Sequence, residues 1–320
     1  MAGGTGVIGV PLVKKLAVFS DNILVVANID IRNAKKILPK NVQYKKKDLR
    51  LLNDCSLVTK NIDYVFNLVG IKGSTGIGET KVLDFFNSMI MFQTNLFRAA
   101  IKNKIKKFMF VSSICGYPYS INAKKEDFFW HGLPRQNDKI PGLVKRIGEL
   151  HIEAAYKQLN WKGGFIVRPS NIFGSHDDFN PKTAQVIPSL IYKLIHASDS
   201  KKKRVKIWGN GKNIRDFVFS EDVADIIIRI MTIKRAINDP INIGTLKPVS
   251  IQSLACLLRD IIDKTIFIEW DKSKQAGDPV RILNTKKLRN ILPNFNQHSL
   301  KDSLVKTINW YKDHYNIYKH

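Results

Sequence analysis

The chain alternates between two hydrophobic patterns in its first half. Short runs of consecutive apolar residues predict buried strands at 23–27, 64–69, 107–112 and 164–168. Apolar residues that recur every three or four positions predict amphipathic helices at 10–16, 89–102 and 142–158. Strands that alternate with helices in this way are typical of βαβ units. The pattern therefore predicts an α/β fold with a doubly wound parallel sheet of the Rossmann type.

The pattern changes after about residue 170, where helices mix with shorter strands. The predicted helices are 184–196, 222–233, 251–262 and 300–311, and the predicted strands are 205–208, 217–219, 241–244 and 266–270. We therefore expect a dinucleotide-binding domain over residues 1–170 and a smaller α/β substrate lobe over residues 171–320. Some strands and helices of the second half are expected to return to the first domain.

The composition allows a large core and gives no sign of a membrane protein or a metal protein. The chain has 320 residues, of which 44% are hydrophobic, and this is enough to bury a substantial core. Cys55, Cys115 and Cys256 lie far apart, without a CxxC or Cys/His cluster. Neither disulfides nor a metal site is therefore predicted, and a reducing cytoplasm fits best. The most apolar stretch, 85–97, is too short and too polar to span a bilayer.

The formal net charge is +25, from 52 lysines and arginines against 27 aspartates and glutamates. A basic surface can attract nucleic acid or other polyanions. The lysines are scattered, however, and no nucleic-acid recognition motif accompanies them, which favours a general heavy use of lysine. A nucleic-acid-associated Rossmann protein is therefore the weaker hypothesis, and some of the cations are expected to serve an anionic small substrate.

A glycine-rich turn opens the chain and predicts a dinucleotide site. Gly3, Gly6 and Gly9 are spaced three residues apart and precede an apolar helix. Glycine permits a tight turn close to a pyrophosphate, and amides at a helix N-terminus, here those of Val7 and Ile8, attract phosphates. A plain glycine-rich turn is the alternative, because a glycine triplet alone is a weak signal. The helix and the second strand that follow favour the dinucleotide.

The strand that should precede this turn is missing, since only Met1 and Ala2 come before Gly3. In a doubly wound fold that strand lies in the middle of the sheet. Each buried side chain lost would cost about 1.5–3 kcal/mol, so the loss would rival the stability of a whole domain. We therefore expect the first strand to be truncated in this sequence, with the true start upstream or wrongly assigned.

Further motifs follow in order along the chain. Asp48 and Leu49 come after an expected third strand, where a carboxylate and a backbone amide can meet an adenine ring; an aspartate that caps a surface turn is the alternative. The next strand ends in Leu68-Val69-Gly70, where a small residue lets a cofactor pass the backbone. The other motifs are Val111-Ser112-Ser113 with Tyr117 four residues later, Lys145-Arg146-Ile147-Gly148-Glu149, Arg168-Pro169-Ser170-Asn171-Ile172, Trp208-Gly209-Asn210-Gly211 and Arg215-Asp216-Phe217.

Together these motifs resemble the extended short-chain dehydrogenase/reductases, in the NAD-dependent epimerase/dehydratase family that acts on nucleotide sugars. The resemblance covers essentially the whole chain. Three segments are most similar to the GDP-L-fucose synthase branch: Ser113-Ile114-Cys115, the loop 174–181 with Val186-Ile187-Pro188, and Asp271-Lys272-Ser273-Lys274 with Gly277. The resemblance implies an NAD(P)-dependent epimerase, dehydratase or reductase that transfers a hydride at a sugar carbon.

The resemblance also implies roles for individual residues. Ser113 would hydrogen-bond the reacting sugar oxygen, Lys145 would bind the nicotinamide ribose, and Cys115 would be one half of a cysteine–histidine pair used in epimerisation. The implied cofactor-binding residues are Gly3, Gly6, Val7, Ile8, Gly9, Asp30, Asp48, Leu49, Leu68, Val69, Gly70, Val111, Lys145, Pro169, Asn171 and Ile172. The implied substrate-binding residues are Ser113, Asn171, Gln185, Lys193, Trp208 and Arg215.

Two positions depart from the family pattern. The tyrosine of the Tyr-x-x-x-Lys motif would stand at Pro141, and proline cannot donate a proton. The histidine of the synthases is replaced by Gln185, which cannot carry a proton at neutral pH. Cys115, Lys145 and a bound water stay open as substitutes for the missing acid. A homologue that binds cofactor and nucleotide sugar with weak or no turnover is the alternative to an active enzyme.

The cofactor is predicted as NAD(P). An acidic residue at the end of the second strand favours NAD, and a basic residue nearby favours NADP. Asp30 and Arg32 offer both, and the prediction leans to NAD through Asp30. The expected partners are a nucleotide-diphosphate sugar and a second copy of the chain in a homodimer, with neither a membrane nor nucleic acid.

Overall fold

The computed structural model describes residues 1–71, 81–201, 203–233, 239–273 and 277–314. Its main strands are β1 (Leu24–Ala27), β2 (Gln43–Lys46), β3 (Tyr64–Asn67), β4 (Lys107–Val111), β5 (Gly164–Pro169) and β10 (Ile241–Ile243). They lie in the order β2-β1-β3-β4-β5-β10, with residues 1–3 between β1 and β3. Every pairing among them is parallel. The predicted α/β class with a parallel Rossmann sheet is thereby confirmed.

Helices cover both faces of this sheet. One face packs against α3 (Leu52–Thr59), α4 (Val82–Lys102) and α5 (Lys139–Leu159). The other face packs against α1 (Gly9–Leu16), α7 (Ser220–Thr232) and α9 (Lys286–Ile291), and α2 (Ile31–Ile37) lies beside β1. Along β4, Phe108 and Phe110 join the first core while Met109 and Val111 join the second. This alternation follows from the two-residue period of a strand that is buried on both faces.

Residues 1–3 occupy the central position of the sheet. Ala2 N donates to Phe66 O at 2.9 Å, and Leu68 N donates to Ala2 O at 3.0 Å. On the other side, Gly3 N donates to Val26 O at 2.9 Å. These few residues therefore bridge β1 to β3 at the place where the sequence predicts a strand. The truncation of that strand stays a prediction.

The rest of the second half forms a smaller α/β lobe. Its helices are α6 (Val186–Ser198), α8 (Ile251–Ile262) and α10 (Leu300–Asp313), which enclose a separate apolar core. Its short strands are β6 (Asn171–Phe173), β7 (Arg204–Trp208), β8 (Ile214–Arg215), β9 (Phe217–Phe219), β11 (Val249–Ser250), β12 (Phe267–Asp271) and β13 (Val280–Arg281). Because β10, α7 and α9 belong to the main sheet and its cover, the chain passes between the lobes more than once. The domain boundary near residue 170 stays a prediction.

The bounds differ from the predicted ones mainly where burial is one-sided. Helix α4 begins at Val82 rather than at residue 89, because Val82, Phe85 and Phe86 continue its apolar stripe toward the N-terminus, and the two phenylalanines pack partly buried against the core. Strand β2, with the sequence QYKK, is the third strand expected before Asp48, and its bounds were not predicted because most of its side chains are polar and exposed. Within the described ranges, no helix combines the length and apolar character needed to cross a membrane.

Candidate active site

The glycine turn lies where residues 1–3 pass into α1. Gly3 has a φ of +75°, and a Cβ there would come 3.0 Å from the backbone of Leu68. A Cβ on Gly9 would come 2.4 Å from Gly3 O. A Cβ on exposed Gly6 would meet only Gly3 O, 3.6 Å away. Two glycines thus close the turn while the third leaves its outer side open, and this fits the cradle that a pyrophosphate needs.

The segment after β3 forms a wall beside the glycine turn. Leu68 is tied to Ala2 through its amide, and Val69 N donates to Asn67 Oδ1 at 3.2 Å. A Cβ on Gly70 would have nothing within 4 Å. The backbone there borders open space, as the sequence prediction of a passing cofactor requires.

The two aspartates expected to face the adenosine are already engaged. Asp30 Oδ1 caps α2 by accepting from Arg32 N at 2.9 Å. Asp48 forms a two-point ion pair with Arg50, with contacts of 2.9 and 2.6 Å, and this pairing lowers the pKa of Asp48. The amide of Asp48 donates to Asp54 Oδ2 at 3.0 Å. The adjacent Leu49 is buried in the core. Asp48 Oδ1 also accepts from Arg50 N at 3.0 Å, a contact that agrees with the alternative of an aspartate capping a surface turn.

Three of the predicted catalytic positions converge beyond the carboxyl end of β4. Ser113 caps the short 3-10 turn Ile114–Gly116, and its Oγ accepts from Cys115 N at 3.1 Å. Lys145 reaches over from α5, and its Nζ donates to Val111 O at 2.8 Å. Burial lowers the pKa of Lys145 to about 8. Val111, predicted to touch the cofactor, thus positions the lysine through its carbonyl.

Pro141 lies in the first turn of α5. A proline is well tolerated there, because amides of the first turn have no partner within the helix. Pro141 stands one turn before Lys145 and has no hydroxyl that could donate a proton there. Nor does Tyr117 supply one, since its buried hydroxyl donates to Asn242 Oδ1 at 2.6 Å and accepts from Arg168 at 3.1 Å.

A charged cluster beside Cys115 was not predicted from the sequence. Arg281 donates to Cys115 Sγ at 3.0 Å and pairs with Asp138 at 3.0 Å. Arg135 pairs with both Asp138 and Asp278. These residues come from two segments that are far apart in the chain, and neither segment carries a recognisable motif.

Two further cations belong to the same region. Burial, followed by repulsion from Arg135, Arg281 and Arg215, lowers the pKa of Lys124 to about 8. Burial, followed by repulsion from Arg281 and Arg135, lowers the pKa of Arg215 to about 10. Positive charge is therefore concentrated and partly buried here, which prepares the region for an anion.

The remaining predicted substrate residues lie on β6 and the smaller lobe. Asn171 Nδ2 donates to Asp216 O at 2.8 Å. Pro169 ends β5, and Ile172 follows Asn171 in β6. Lys193 Nζ lies 5.6 Å from the centre of the Trp208 ring, and 66% of Trp208 is exposed. Gln185 is exposed at the start of α6. Gly277 lies beside Arg215, whereas Lys274 falls outside the described residues.

The parallel sheet, the glycine turn and the serine–lysine pair define a dinucleotide-binding enzyme of the short-chain dehydrogenase/reductase type. The model of the NAD dependent epimerase/dehydratase family matches residues 1–244. The chain belongs to this family. The predicted class, a nucleotide-sugar epimerase, dehydratase or reductase that depends on NAD(P), is thereby confirmed.

Individual relatives support the same branch. The chain is 25% identical to the GDP-L-fucose synthase of Escherichia coli (strain K12) over 320 residues, covering 97% of this chain and 95% of that one. It is 28% identical over 255 residues to the probable GDP-L-fucose synthase 1 of Oryza sativa subsp. japonica, covering 78% and 75%. The predicted similarity to GDP-L-fucose synthases is confirmed.

Solved structures share the fold over nearly the whole chain. The UDP-glucose 4-epimerase of Thermotoga maritima superposes with a TM-score of 0.84 at 23% identity, covering 98% of each chain. A GDP-L-fucose synthetase from Naegleria fowleri superposes with a TM-score of 0.82 at 21% identity, covering 100% of this chain and 94% of that one. At these identities the likeness shows the fold alone.

Proposed function

We propose that this protein reduces the keto group of a GDP-linked 4-keto sugar with a nicotinamide dinucleotide. The observation that carries the proposal is the convergence of Ser113, Cys115 and Lys145 beside a cluster of cations. The names of the relatives point the same way, and one structural neighbour from C. jejuni is a GDP-6-OMe-4-keto-L-xylo-heptose reductase, with a TM-score of 0.82 at 22% identity.

The cofactor would be held by the glycine turn and by the wall at Leu68-Val69-Gly70, and when bound it supplies the hydride. Ser113 Oγ accepts from the Cys115 amide, so its hydrogen can donate to the sugar oxygen. Lys145 would bind the nicotinamide ribose and supply the proton that a tyrosine gives elsewhere in the family. Its pKa of about 8 suits a group that gives and takes protons near neutral pH.

The substrate diphosphate would lie against the cation cluster. The cluster holds four cations, Lys124, Arg135, Arg215 and Arg281, and among the described residues two carboxylates, Asp138 and Asp278, form ion pairs with them. The excess positive charge favours a dianionic ligand. Lys193 and the exposed Trp208 ring offer a charged and aromatic surface for the nucleotide base.

We propose NADP(H) as the cofactor. The prediction of NAD rested on Asp30, whose carboxylate accepts from Arg32 N as the cap of α2. Arg32 stands in the first turn of that helix and carries the charge that a 2′-phosphate requires. The Naegleria fowleri synthetase has also been solved bound to NADP.

A second candidate function is binding without turnover, which Pro141 favours.

We expect the purified chain to consume NADPH when it is given a GDP-linked 4-keto sugar, but not a dTDP-linked one, as followed by NADPH absorbance. Ser113→Ala and Lys145→Met are each expected to slow turnover about 100-fold.

Absence of turnover, with both ligands bound, would replace the reductase proposal by the binding-only function. In that case Pro141→Tyr, which restores the family tyrosine, is expected to create activity. If the active reductase is correct, Pro141→Tyr instead alters the pH profile of an activity that is already present.

We further propose that the protein is a cytoplasmic homodimer. All three cysteines are free, as a reducing compartment allows. Helices α4 and α5 cover the same face of the sheet and expose Leu83, Met91, Leu150 and Tyr156. Sedimentation analysis is expected to give twice the chain mass, and Leu150→Glu is expected to give single chains.

A further inference from the structure

The side chain of Cys115 receives a hydrogen bond from the other lobe. Cys115 belongs to the turn that follows β4, whereas Arg281 belongs to β13 of the smaller lobe. The guanidinium NH2 of Arg281 lies 3.0 Å from Cys115 Sγ. A thiol sulfur is a weak acceptor, but cysteines that lie next to an arginine or a lysine are typically more reactive than buried apolar ones.

The same guanidinium nitrogen of Arg281 also contacts a carboxylate. It pairs with Asp138 at 3.0 Å, and Asp138 also pairs with Arg135, which in turn pairs with Asp278. Two of these three ion pairs join the segment 135–138 to the segment 278–281, and the third lies within 135–138. Only 15% of the Arg281 side chain is exposed. Water screens its charge poorly, and the pair with Asp138 holds the guanidinium beside the sulfur.

Other charged groups around the sulfur do not replace this contact. Lys145 interacts with Cys115 electrostatically, but its Nζ donates to Val111 O. Arg135 is occupied by its two aspartates. Among the contacts of the described residues, Arg281 is the cation that donates directly to Cys115 Sγ.

We propose that Arg281 is a positioning residue that sets the orientation and the reactivity of Cys115. The smaller lobe thereby takes part in preparing a reactive group of the Rossmann sheet. The inference deepens the proposed function, because Cys115 stands beside Ser113 and Lys145, but the contact itself requires neither substrate nor turnover.

Selective alkylation of the full-length chain tests this role without any substrate. The chain is treated with iodoacetamide at constant pH, and the modification of each cysteine is followed by peptide mass spectrometry. We expect Arg281→Met to slow the alkylation of Cys115 about tenfold, and Arg281→Lys to restore part of the rate. Partly buried Cys256 serves as the internal reference in each sample. The matched control is Arg289→Met, which removes an exposed arginine from α9 and is expected to leave the Cys115 rate unchanged.

A Cys115 rate in Arg281→Met that equals or exceeds the wild-type rate, with Cys256 unchanged, would overturn the proposal. If that variant does not fold, the proposal is tested by comparing two alkylation rates in the wild-type protein, where Cys115 is expected to react about tenfold faster than Cys256. Equal rates for these two cysteines would then reject the role of Arg281. Because no sugar is present, a failure of the reductase proposal leaves this result intact.

Discussion

Two buried cations near the site differ in the groups that surround their charge. Arg168 is almost fully buried. Its Nε and NH2 donate to the two carboxylate oxygens of Glu149 at 2.9 and 2.6 Å, and its guanidinium carbon lies 3.6 Å from the centre of the Phe129 ring. Lys145 faces a carbonyl and an aromatic ring instead of a directly bonded carboxylate, so burial disfavours its charged form. The first arrangement holds the structure together, whereas the second leaves a lysine able to exchange its proton near neutral pH.

The lowered pKa of Lys145 predicts a pH-dependent effect on stability. Its folded pKa is about 8 and its ordinary value is 10.5, so the unfolded chain holds more protons between these values. The contribution of this group to the free energy of unfolding therefore rises with pH across that window. Lys145→Met removes the buried charge, so its stability relative to wild type is expected to be highest near neutral pH and to fall as the pH rises.

Urea unfolding of both proteins at about pH 7 and about pH 10 measures this difference. A constant difference across the two conditions would contradict the lowered pKa. Other titrating groups are common to both proteins and cancel in the comparison.

The pair between Arg168 and Glu149 predicts a large loss of stability when it is broken. Glu149→Gln leaves the buried guanidinium without its charge partner and is expected to lower the free energy of unfolding by about 3–5 kcal/mol. Glu153→Gln breaks the exposed pair with Lys157 on the same helix, and there the expected loss is below about 1 kcal/mol. Denaturant titration compares the two, and similar losses would show that the buried pair is not structurally important.

At the scale of elements, strands buried on both faces could be predicted from their apolar runs, as β4 and β5 were. Strand β2 was expected before Asp48 but without bounds, because its mostly polar side chains carry no such signal. The serine, lysine and glycine positions stand in local motifs, and the structure places these residues at one edge of the sheet. Arg281 and Arg135 do not, since only the docking of two distant segments brings them to Cys115.

The glycine turn predicts contrasting effects for two alanine substitutions. Gly9→Ala would drive a Cβ against Gly3 O and is expected to destabilise the fold, because the neighbouring atom is backbone. Gly6→Ala meets nothing closer than 3.6 Å, so the fold is expected to survive while NADPH binds about tenfold or more weakly. Thermal unfolding and NADPH fluorescence titration separate these outcomes, and unchanged NADPH affinity in Gly6→Ala would place the phosphates elsewhere.

At the scale of the whole molecule, the proposed site draws on both lobes. The main sheet would supply the glycine turn, Ser113 and Lys145, and the smaller lobe would supply Lys193, Trp208, Arg215 and Arg281. The net charge of +25 is spread over the chain, but the partly buried cations lie together beside Cys115. A ligand that bridges the lobes is therefore expected to tighten the whole structure.

Ligand-induced stabilisation follows from this shared site. NADPH at 100 times its Kd is expected to add about 2.7 kcal/mol to the free energy of unfolding, and GDP is expected to add a separate increment. High salt is expected to reduce the GDP increment more, because that contact is ionic. Thermal melts with each ligand and with both measure the effect. An absence of stabilisation by NADPH would contradict the proposed cofactor site at the glycine turn, and an absence of stabilisation by GDP would contradict the proposed diphosphate site at the cation cluster.

Hydride transfer to the sugar is the central claim, and isotope transfer measures it most directly. The purified chain is incubated with a GDP-linked 4-keto sugar and NADPH that carries deuterium at both C4 positions of the nicotinamide. The mass of the nucleotide-sugar product is then measured by mass spectrometry. The reductase proposal predicts one deuterium in the product, and with Ser113→Ala the labelled product should form about 100-fold more slowly. A reduced product without deuterium, or an unchanged keto sugar after prolonged incubation, would contradict it.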